Sequence, residues 1–108
     1  MDKKKESIPV QLARKSIVYY FEKNKTMDLP KNLPEDLFEN RAGVFVSLKK
    51  NERLRGCIGT FMPTQQNIAM EIIENAVSAA IDDPRFSPIT LDELDDLTIS
   101  VDILSQPE

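Results

Sequence analysis

Two short segments with strand-like alternation, separated by a few polar residues, constrain the fold of this chain more than any other feature. Between residues 43 and 49, aliphatic side chains fall on one face and the remaining side chains on the other: Val44, Val46 and Leu48 against Phe45, Ser47 and Lys49. Side chains alternate in this way along a half-buried strand. Residues 50–52 form the turn, and residues 53–59 return as the partner strand. The sequence therefore predicts a β-hairpin over about residues 43–59.

A third strand and two amphipathic helices complete the predicted fold. Residues 97–104 alternate most regularly, with four aliphatic side chains expected to point inward: Leu97, Ile99, Val101 and Ile103. Apolar residues recur with helical spacing over about residues 9–23 and 66–82. Thr90 and Glu93 have the spacing of a capping box before a short helix. The order helix, hairpin, helix, strand indicates an α+β fold, with helices packed on a small mixed or antiparallel sheet. Which arm of the hairpin pairs with the third strand is left open.

Length, charge and cysteine content narrow the class of protein. The 108 residues suit one domain, predicted over residues 7–108 after a disordered, charged tail at residues 1–6. The formal net charge of −4 argues against nonspecific nucleic-acid binding, which needs a positive field. The apolar runs are too short to span a membrane, so we expect no membrane contact. One cysteine and no histidine exclude an internal disulfide and a Cys-His pair. We expect a reducing, cytoplasmic setting, with no metal and no cofactor.

The stretch Leu54–Thr60, with the sequence LRGCIGT, holds the strongest signal for function. It places Cys57, the only cysteine, between Gly56 and Gly59 and two residues after Arg55. Glycines on both sides allow a ligand or another backbone to approach closely. Each glycine also has a structural interpretation, Gly56 as a bulge and Gly59 as a turn exit.

Alternation along this motif predicts which side chains share a face. On a regular strand, Arg55 and Cys57 point to one side while Leu54 and Ile58 point to the other. A guanidinium beside the thiol favours the thiolate. Three roles for Cys57 stay open: a small packed hydrophobe, a contact to a ligand or partner, and covalent chemistry.

A group of basic residues is a further candidate for binding. Four cations surround the predicted turn and suit either a solvated hairpin tip or a site for a small anion or acidic partner: Lys49, Lys50, Arg53 and Arg55.

Five segments of the chain, in collinear order, resemble the AMMECR-type domain family. They are RAGVFV at 41–46, LRGCIGTF at 54–61, DPRF at 83–86, LDELDDL at 91–97 and SVDILS at 100–105. With the residues between them, the resemblance covers nearly all of the chain from about Val10. Domains of this family extend past the equivalent of Glu108. The resemblance therefore implies that this chain holds the N-terminal portion of the domain.

The resemblance implies a functional patch rather than a known reaction. The activity of the family is not firmly established. Its microbial members are often associated with, or fused to, a Memo-like metalloprotein and are accompanied by a radical S-adenosylmethionine enzyme. Carried onto this chain, the family motif marks Leu54–Thr60 as the functional patch and Arg85 as a second candidate. The alternative role for Arg85 is an ion pair with Asp82 or Asp83.

We therefore expect a module that binds a partner or a small ligand. The residues expected to contribute contacts are Arg55, Gly56, Cys57, Gly59, Thr60 and Arg85. The alternative is an enzyme component in which Cys57 acts as the catalytic nucleophile or redox thiol, together with a Memo-like or radical S-adenosylmethionine partner. A purely structural role for the motif is the third possibility. We also expect an exposed edge on the final strand, through which copies associate into a homo-oligomer.

Overall fold

The chain folds into a three-stranded sheet with helices packed on one face. The computed structural model describes residues 6–104. In chain order its elements are α1 (Ile8–Lys23), α2 (Glu35–Glu39), β1 (Val44–Lys50), β2 (Arg53–Gly59), α3 (Ile68–Ile81), a 3-10 helix (Asp92–Asp96) and β3 (Leu97–Ile103). The strand order is β2-β1-β3, so the third strand pairs with the first arm of the hairpin. The predicted α+β class is confirmed, and both strand pairs are antiparallel.

The sequence provides capping groups at both ends of α1. The Ser7 side chain accepts a hydrogen bond at the N-terminus, and Asn24 ends the helix in the left-handed region, with a φ of 58°. The predicted tail, residues 1–6, lies outside the described residues except for Glu6. The carboxylate of Glu6 accepts a hydrogen bond from Arg14 Nη2 at 2.6 Å, so this residue is held against α1.

The hairpin closes through a turn of two residues rather than three. Asn51 and Glu52 have φ values of 52° and 67°, while Lys50 and Arg53 already form a cross-strand pair. Positive φ at both central positions is the signature of a type I′ turn, whose twist matches that of the flanking strands. Asparagine tolerates this conformation better than most residues, and glutamate adopts it at some cost.

A β-bulge in β2 changes the faces predicted for the motif. Gly56 lies opposite Leu48, but the next pair joins Leu54 to Lys49, so Arg55 is the extra residue. Directly opposed residues of an antiparallel pair point to the same side of the sheet. Leu54 therefore shares the face of Lys49, whereas Ile58, opposite Val46, points to the other face. The prediction that Leu54 and Ile58 share a face is wrong, because the bulge shifts the alternation by one residue.

The core lies between the helices and one face of the sheet. The side chains of Val44, Val46 and Leu48 on β1 are fully buried. The predicted packing side of α3 is buried as well: Ile68, Ile72, Ala76, Ala79 and Ala80. Two polar residues on this helix, Glu71 and Asn75, are also buried, which the apolar pattern did not predict.

The inward pattern predicted for β3 holds at the start of the strand and fails at its end. Leu97 and Ile99 are buried, Val101 is partly buried, and Ile103 is 40% exposed. Ile103 is the last residue of an edge strand and has a strand neighbour on one side only. Within residues 6–104 no helix is long and apolar enough to cross a membrane. In the same range no group of three or more cysteine, aspartate or glutamate side chains is arranged to hold a metal ion.

Candidate functional site

The face of the sheet that points away from the core carries the side chain of Cys57. Cys57 lies opposite Ser47 on β1, and Ser47 lies opposite Ser100 on β3. Phe45 and Gly59 are the next opposed pair on the same side. These five residues are partly buried, so they are accessible without being fully solvated. We call this surface, together with the adjoining Phe61 and Met62, the open face.

The thiol of Cys57 has a hydroxyl neighbour across the strand pair. The distance from Cys57 Sγ to Ser47 Oγ is 3.3 Å, and either group can donate the proton. Cys57 is half-buried and is not part of a disulfide. Its side chain is therefore reachable from solvent and polar in its surroundings.

The backbone of Cys57 is held by two charged side chains outside the sheet. Thr60 N–H bonds to the carbonyl of Val44. Because backbone groups point toward the partner strand at every second residue, the N–H and C=O of Cys57 point outward. Asp83 Oδ2 accepts from the Cys57 N–H at 3.0 Å, and Arg85 Nη2 donates to the Cys57 carbonyl at 3.2 Å. Asp83 and Arg85, which we call the edge clamp, therefore take the place of a neighbouring strand at this position.

The two residues of the edge clamp also bind each other. The Arg85 guanidinium donates to both oxygens of Asp83, from Nε at 3.0 Å and from Nη2 at 2.8 Å. These hydrogen bonds lower the pKa of Asp83 well below its ordinary value, although burial acts in the opposite direction. The Arg85 side chain is more than half exposed. The guanidinium that contacts Cys57 is thus that of Arg85, through the backbone carbonyl.

Arg55, which we expected beside the thiol, instead donates hydrogen bonds to Glu93, Ser87 and Pro88. Its Nε and Nη2 donate to the two carboxylate oxygens of Glu93, each at 3.1 Å. Its Nη1 and Nη2 donate to the carbonyls of Ser87 and Pro88 at 2.8 and 3.2 Å. The expected placement of this guanidinium against Cys57 is therefore wrong, since the bulge directs Arg55 toward the connection between α3 and β3.

Glu93 pairs with two of the cations near the hairpin turn. Besides Arg55, it accepts from Lys50 Nζ at 3.2 Å and from the N–H of Thr90 at 2.8 Å. Burial raises the pKa of Glu93, but the hydrogen bonds from Thr90, Arg55 and Lys50 outweigh it and lower the pKa to about 2. The contact with Thr90 is the capping-box bond predicted from the sequence. Lys50 and Arg55 also line a surface concavity with Arg53, but two of its three cations are neutralised by this one carboxylate.

Thr60, the last residue of the motif, belongs to a buried polar network behind the sheet. Its hydroxyl donates to Glu71 Oε2 at 2.8 Å. The hydroxyl oxygen of Thr60 accepts from the N–H of Val44 and from the side-chain amide of Asn75, each at 3.3 Å. The end of β2 is therefore tied to both β1 and α3.

Glu71 is a fully buried carboxylate whose hydrogen bonds come from the segment that follows β2. Its oxygens accept from the hydroxyl and N–H of Thr64 at 2.8 and 2.9 Å and from the N–H of Gln65 at 2.9 Å. Burial raises the pKa of Glu71, but the bonds from Thr64, Thr60 and Gln65 outweigh it, and the pKa lies below its ordinary value. The charged group is completely hydrogen-bonded, which is the condition for keeping it in a core. Sequence analysis did not single out Glu71.

The segment that Glu71 holds in place exposes two large apolar side chains. Phe61 is 79% exposed and Met62 is 65% exposed. The Phe61 ring packs edge-on against Phe45, with 5.2 Å between the ring centroids. The Phe45 ring in turn covers Gly59, where a β-carbon would lie 2.3 Å from the ring atoms. An aromatic cluster therefore borders Cys57 on the open face.

Gly56 has a packing role on the opposite side of the sheet. A β-carbon there would lie 2.3 Å from the carbonyl oxygen of Ala79 in α3. This distance is too short for any side chain, so Gly56 allows α3 to pack directly on β2 beside the bulge. Whether Arg55, Gly56, Gly59 and Thr60 contact a ligand stays a prediction.

Comparison with known proteins gives a family and several relatives of unassigned activity. A family model described as AMMECR1 matches residues 10–108. A protein of Thermotoga maritima is 50% identical over 100 residues, which is 92% of this chain and 58% of that protein. A protein of Methanothermobacter thermautotrophicus is 46% identical over 99 residues, covering 92% of this chain and 50% of that protein.

A solved structure shows the same fold. The crystal structure of the uncharacterized protein PH0010 from Pyrococcus horikoshii superposes with a TM-score of 0.85 at 39% sequence identity. The match covers 93% of this chain and 51% of that chain. This chain thus spans about half the length of these relatives.

Proposed function

Since this chain belongs to the AMMECR1 family, we propose that it is a binding module whose open face contacts a partner protein. Cys57, Phe45, Phe61 and Met62 supply the contact surface, and Arg85 lies at its margin. Gly56 and Thr60 lie behind the sheet, so we assign them to shaping this face rather than to contacting the partner.

The single observation that carries the proposal is that a buried carboxylate holds the segment from which Phe61 and Met62 project into solvent. Glu71 is buried and uses its whole hydrogen-bonding capacity to fix the segment from which these two side chains project. Burying a carboxylate is expensive unless it is fully paired. An ordered segment that exposes an aromatic ring and a methionine is typical of a contact surface, because both residue types are enriched at interfaces.

The charges around the motif favour an apolar protein surface over a small anion. Arg55 is paired with Glu93, and Arg85 is paired with Asp83. The charges of these two guanidinium groups are therefore compensated within the chain. For partners we retain the Memo-like metalloprotein and the radical S-adenosylmethionine enzyme that the family resemblance implies. We also retain the cytoplasm as the compartment, because Cys57 is a free thiol.

Calorimetric titration of this chain against each purified candidate partner tests the proposal. Phe61→Ser and Met62→Ser are expected to weaken binding by about tenfold or more, as truncation of a central interface anchor does. Ile8→Ser is the matched control, since Ile8 is a 44% exposed apolar residue on α1, away from the open face. Unchanged affinity in the Phe61 variant, or an equal loss in the Ile8 variant, would contradict the proposal.

A second candidate function is an enzyme component that uses the thiol of Cys57. The observations in its favour are the Ser47 hydroxyl, 3.3 Å from the sulfur, and the Arg85 guanidinium, which donates to the backbone carbonyl of the same cysteine at 3.2 Å. A nearby cation stabilises a thiolate, which is the nucleophilic form.

The rate of alkylation by iodoacetamide at neutral pH tests this second function. Arg85→Gln is expected to slow the reaction by about threefold or more, since the cation that contacts Cys57 is removed. Arg55→Gln is the control, because that guanidinium is bound to Glu93, and its rate should equal that of the parent. Equal rates in all three proteins would remove the support for chemistry at Cys57.

A further inference from the structure

The two edges of the sheet differ in whether charged side chains lie against the middle of the strand. At the β2 edge, both outward groups of Cys57 are bonded to the edge clamp. At the β3 edge, Leu104 N–H donates to the Gly43 carbonyl. The register continues without interruption from Val44 opposite Ile103. Because inward and outward residues alternate, the outward groups of β3 belong to Leu97, Ile99, Val101 and Ile103.

Only the first of these outward positions is satisfied among residues 6–104. The carbonyl of Leu97 accepts from Arg14 Nη2 at 2.9 Å, which supports the assignment of outward positions. In the described part of the chain, no hydrogen bond reaches the outward groups of Ile99, Val101 or Ile103. Exposed strands usually carry a lysine, a proline or a bulge that prevents pairing with another strand. Residues 97–103 contain no lysine or proline, their pairing with β1 shows no bulge, and Asp102 is their one charged residue.

We propose that the β3 edge pairs with the β3 edge of a second copy, antiparallel and symmetric about Val101. This interface lies on the opposite side of the sheet from the edge clamp and is independent of the function proposed for the open face. In this register Val101 faces its own copy, and Ile99 faces Ile103 of the second copy. All three residues whose outward groups are unused then exchange hydrogen bonds, and the result is a closed two-fold dimer.

The side chains fit this register. Asp102 lies opposite Ser100 of the second copy, so a hydroxyl faces the carboxylate and the two aspartates do not oppose each other. Shifting the symmetry centre by one residue to Asp102 would place like charges directly opposite, which is unfavourable. The exposed Ile103 gains a neighbour in Ile99, which removes apolar surface from water.

A groove on α1 continues the same surface. It has a volume of about 350 Å³ and is lined by residues of α1 that include Arg14, Val18 and Tyr19. Arg14 connects this groove to the strand edge, since its guanidinium bonds to the Leu97 carbonyl. A second copy that pairs along β3 therefore approaches an adjoining concave surface rather than bulk solvent.

Sedimentation of the full chain over a dilution series, from about 1 mM to about 1 µM, tests the proposal. We expect a species of twice the 12.3 kDa of one chain at the top of the series, dissociating on dilution. Ile103→Lys places a charge on the edge and should weaken association by about tenfold or more. Leu54→Lys is the matched control, since Leu54 and Ile103 are both 40% exposed and lie on opposite edges; it should associate like the parent.

Val101→Pro is a second variant that leaves the pairing with β1 intact. The Val101 N–H points outward, so proline removes a donor from the edge without breaking a bond inside the sheet. Val101→Thr, which keeps the N–H, is its control. A folded Val101→Pro protein should be a monomer where the parent and Val101→Thr are dimers.

Amide hydrogen exchange distinguishes this interface from any other. The amides of Ile99, Val101 and Ile103 should exchange quickly in dilute protein and slowly in concentrated protein, whereas those of Ser100 and Asp102 should be slow in both. A parent that is monomeric throughout the series overturns the proposal. So does a dimer that survives Ile103→Lys, or one in which the three edge amides stay unprotected.

Discussion

The two edge strands of the sheet, with the residues that contact them, are stabilised by different contacts; we call these two regions the β2 side and the β3 side. The β2 side is held by three carboxylates: Asp83 at the Cys57 backbone, Glu93 at Arg55 and Glu71 behind Thr60. The β3 side has one comparable contact, from Arg14 to the carbonyls of Leu94 and Leu97. Among residues 6–104, the sheet thus has one edge obstructed at Cys57 by charged side chains and one edge with three successive outward positions that receive no hydrogen bond.

The path of the chain explains this difference. The connection from α3 to β3, residues 82–96, supplies Asp83, Arg85 and Glu93, together with the carbonyls of Ser87 and Pro88 that bind Arg55. It therefore passes along β2 before β3 begins opposite Lys50. Because this connection crosses from the β2 edge to the β3 edge, its side chains and carbonyls contact β2. Among residues 6–104, no comparable segment contacts the outer edge of β3.

The largest effect is expected from Gly56→Ala, which tests whether packing or charge holds the β2 side. The new methyl group would lie 2.3 Å from the Ala79 carbonyl oxygen, a backbone atom that cannot move alone. We expect the free energy of unfolding, measured in urea, to fall by about 3 kcal/mol or more. Gly59→Ala is the control, because the obstacle there is the Phe45 side chain, which can rotate away. If Gly59→Ala were the more damaging change, direct contact between α3 and β2 would not be the basis of this side's stability.

Glu71→Gln should have the next largest effect. One oxygen of Glu71 accepts from two backbone N–H groups and the other from two hydroxyls. In glutamine the carbonyl oxygen can keep the first two bonds, but the NH2 group forces both hydroxyls to turn and accept, and the negative charge that strengthens all four bonds is lost. We expect this to cost about 3 kcal/mol. Urea denaturation measures the loss, and faster proteolysis between Thr60 and Gln65 would locate it. Glu39→Gln, at an exposed position on α2, should change neither measurement, and a stable Glu71→Gln protein would show that the segment orders without the carboxylate.

Much of this architecture could be predicted from the sequence because it follows from periodicity. Alternation located the hairpin and β3, and helical spacing located α1 and α3. An alternating pattern does not reveal a break in regular strand pairing. Because the bulge at Arg55 is such a break, Leu54 lies on the face opposite to the one predicted. An exposed edge on β3 was expected, but the exposure of the Ile103 side chain was not, since a pattern states which way Ile103 points and not whether anything covers it.

The charged contacts of the site were harder to predict, with one exception. The ion pair of Arg85 with Asp83 was one of the possibilities that the sequence allowed, because the two residues are neighbours. The bond from Asp83 to the Cys57 backbone joins residues 26 positions apart and depends on the path of the whole connection. Glu71 had a detectable signal, since it lies three residues after Ile68 on the apolar stripe of α3. A carboxylate at such a position indicates a buried, hydrogen-bonded group.

Acid should lower the free energy of unfolding through the carboxylates on the β2 side, and Glu93 is the clearest example. Its pKa in the folded protein is about 2, against an ordinary value of 4.5. The unfolded chain therefore takes up the proton first as the pH falls. The stabilisation is complete above about pH 4.5 and is lost progressively toward pH 2, with a magnitude of about 2 kcal/mol. The lowered pKa values of Asp83 and Glu71 act in the same direction.

Unfolding in urea at a series of pH values compares the parent with Glu93→Gln. The variant should be less stable at neutral pH and should lose less stability between pH 4.5 and pH 2. Parallel curves for the two proteins would mean that Glu93 contributes nothing to the acid response, and the pairing with Arg55 and Lys50 would then be a weak surface interaction.

The smallest effect is expected on the β3 side, from Arg14→Met. Methionine keeps much of the apolar length of the side chain and removes the bonds to Leu94, Leu97 and Glu6. These bonds connect α1 to the start of β3, where the two carbonyls can be hydrated once the guanidinium is gone. We therefore expect a loss of about 1 kcal/mol in the free energy of unfolding. Lys15→Met, at the neighbouring exposed position, controls for removing one positive charge from α1. A loss as large as that of Glu71→Gln would mean that the β3 side is braced as strongly as the β2 side, and the contrast between the two sides of the sheet would have to be abandoned.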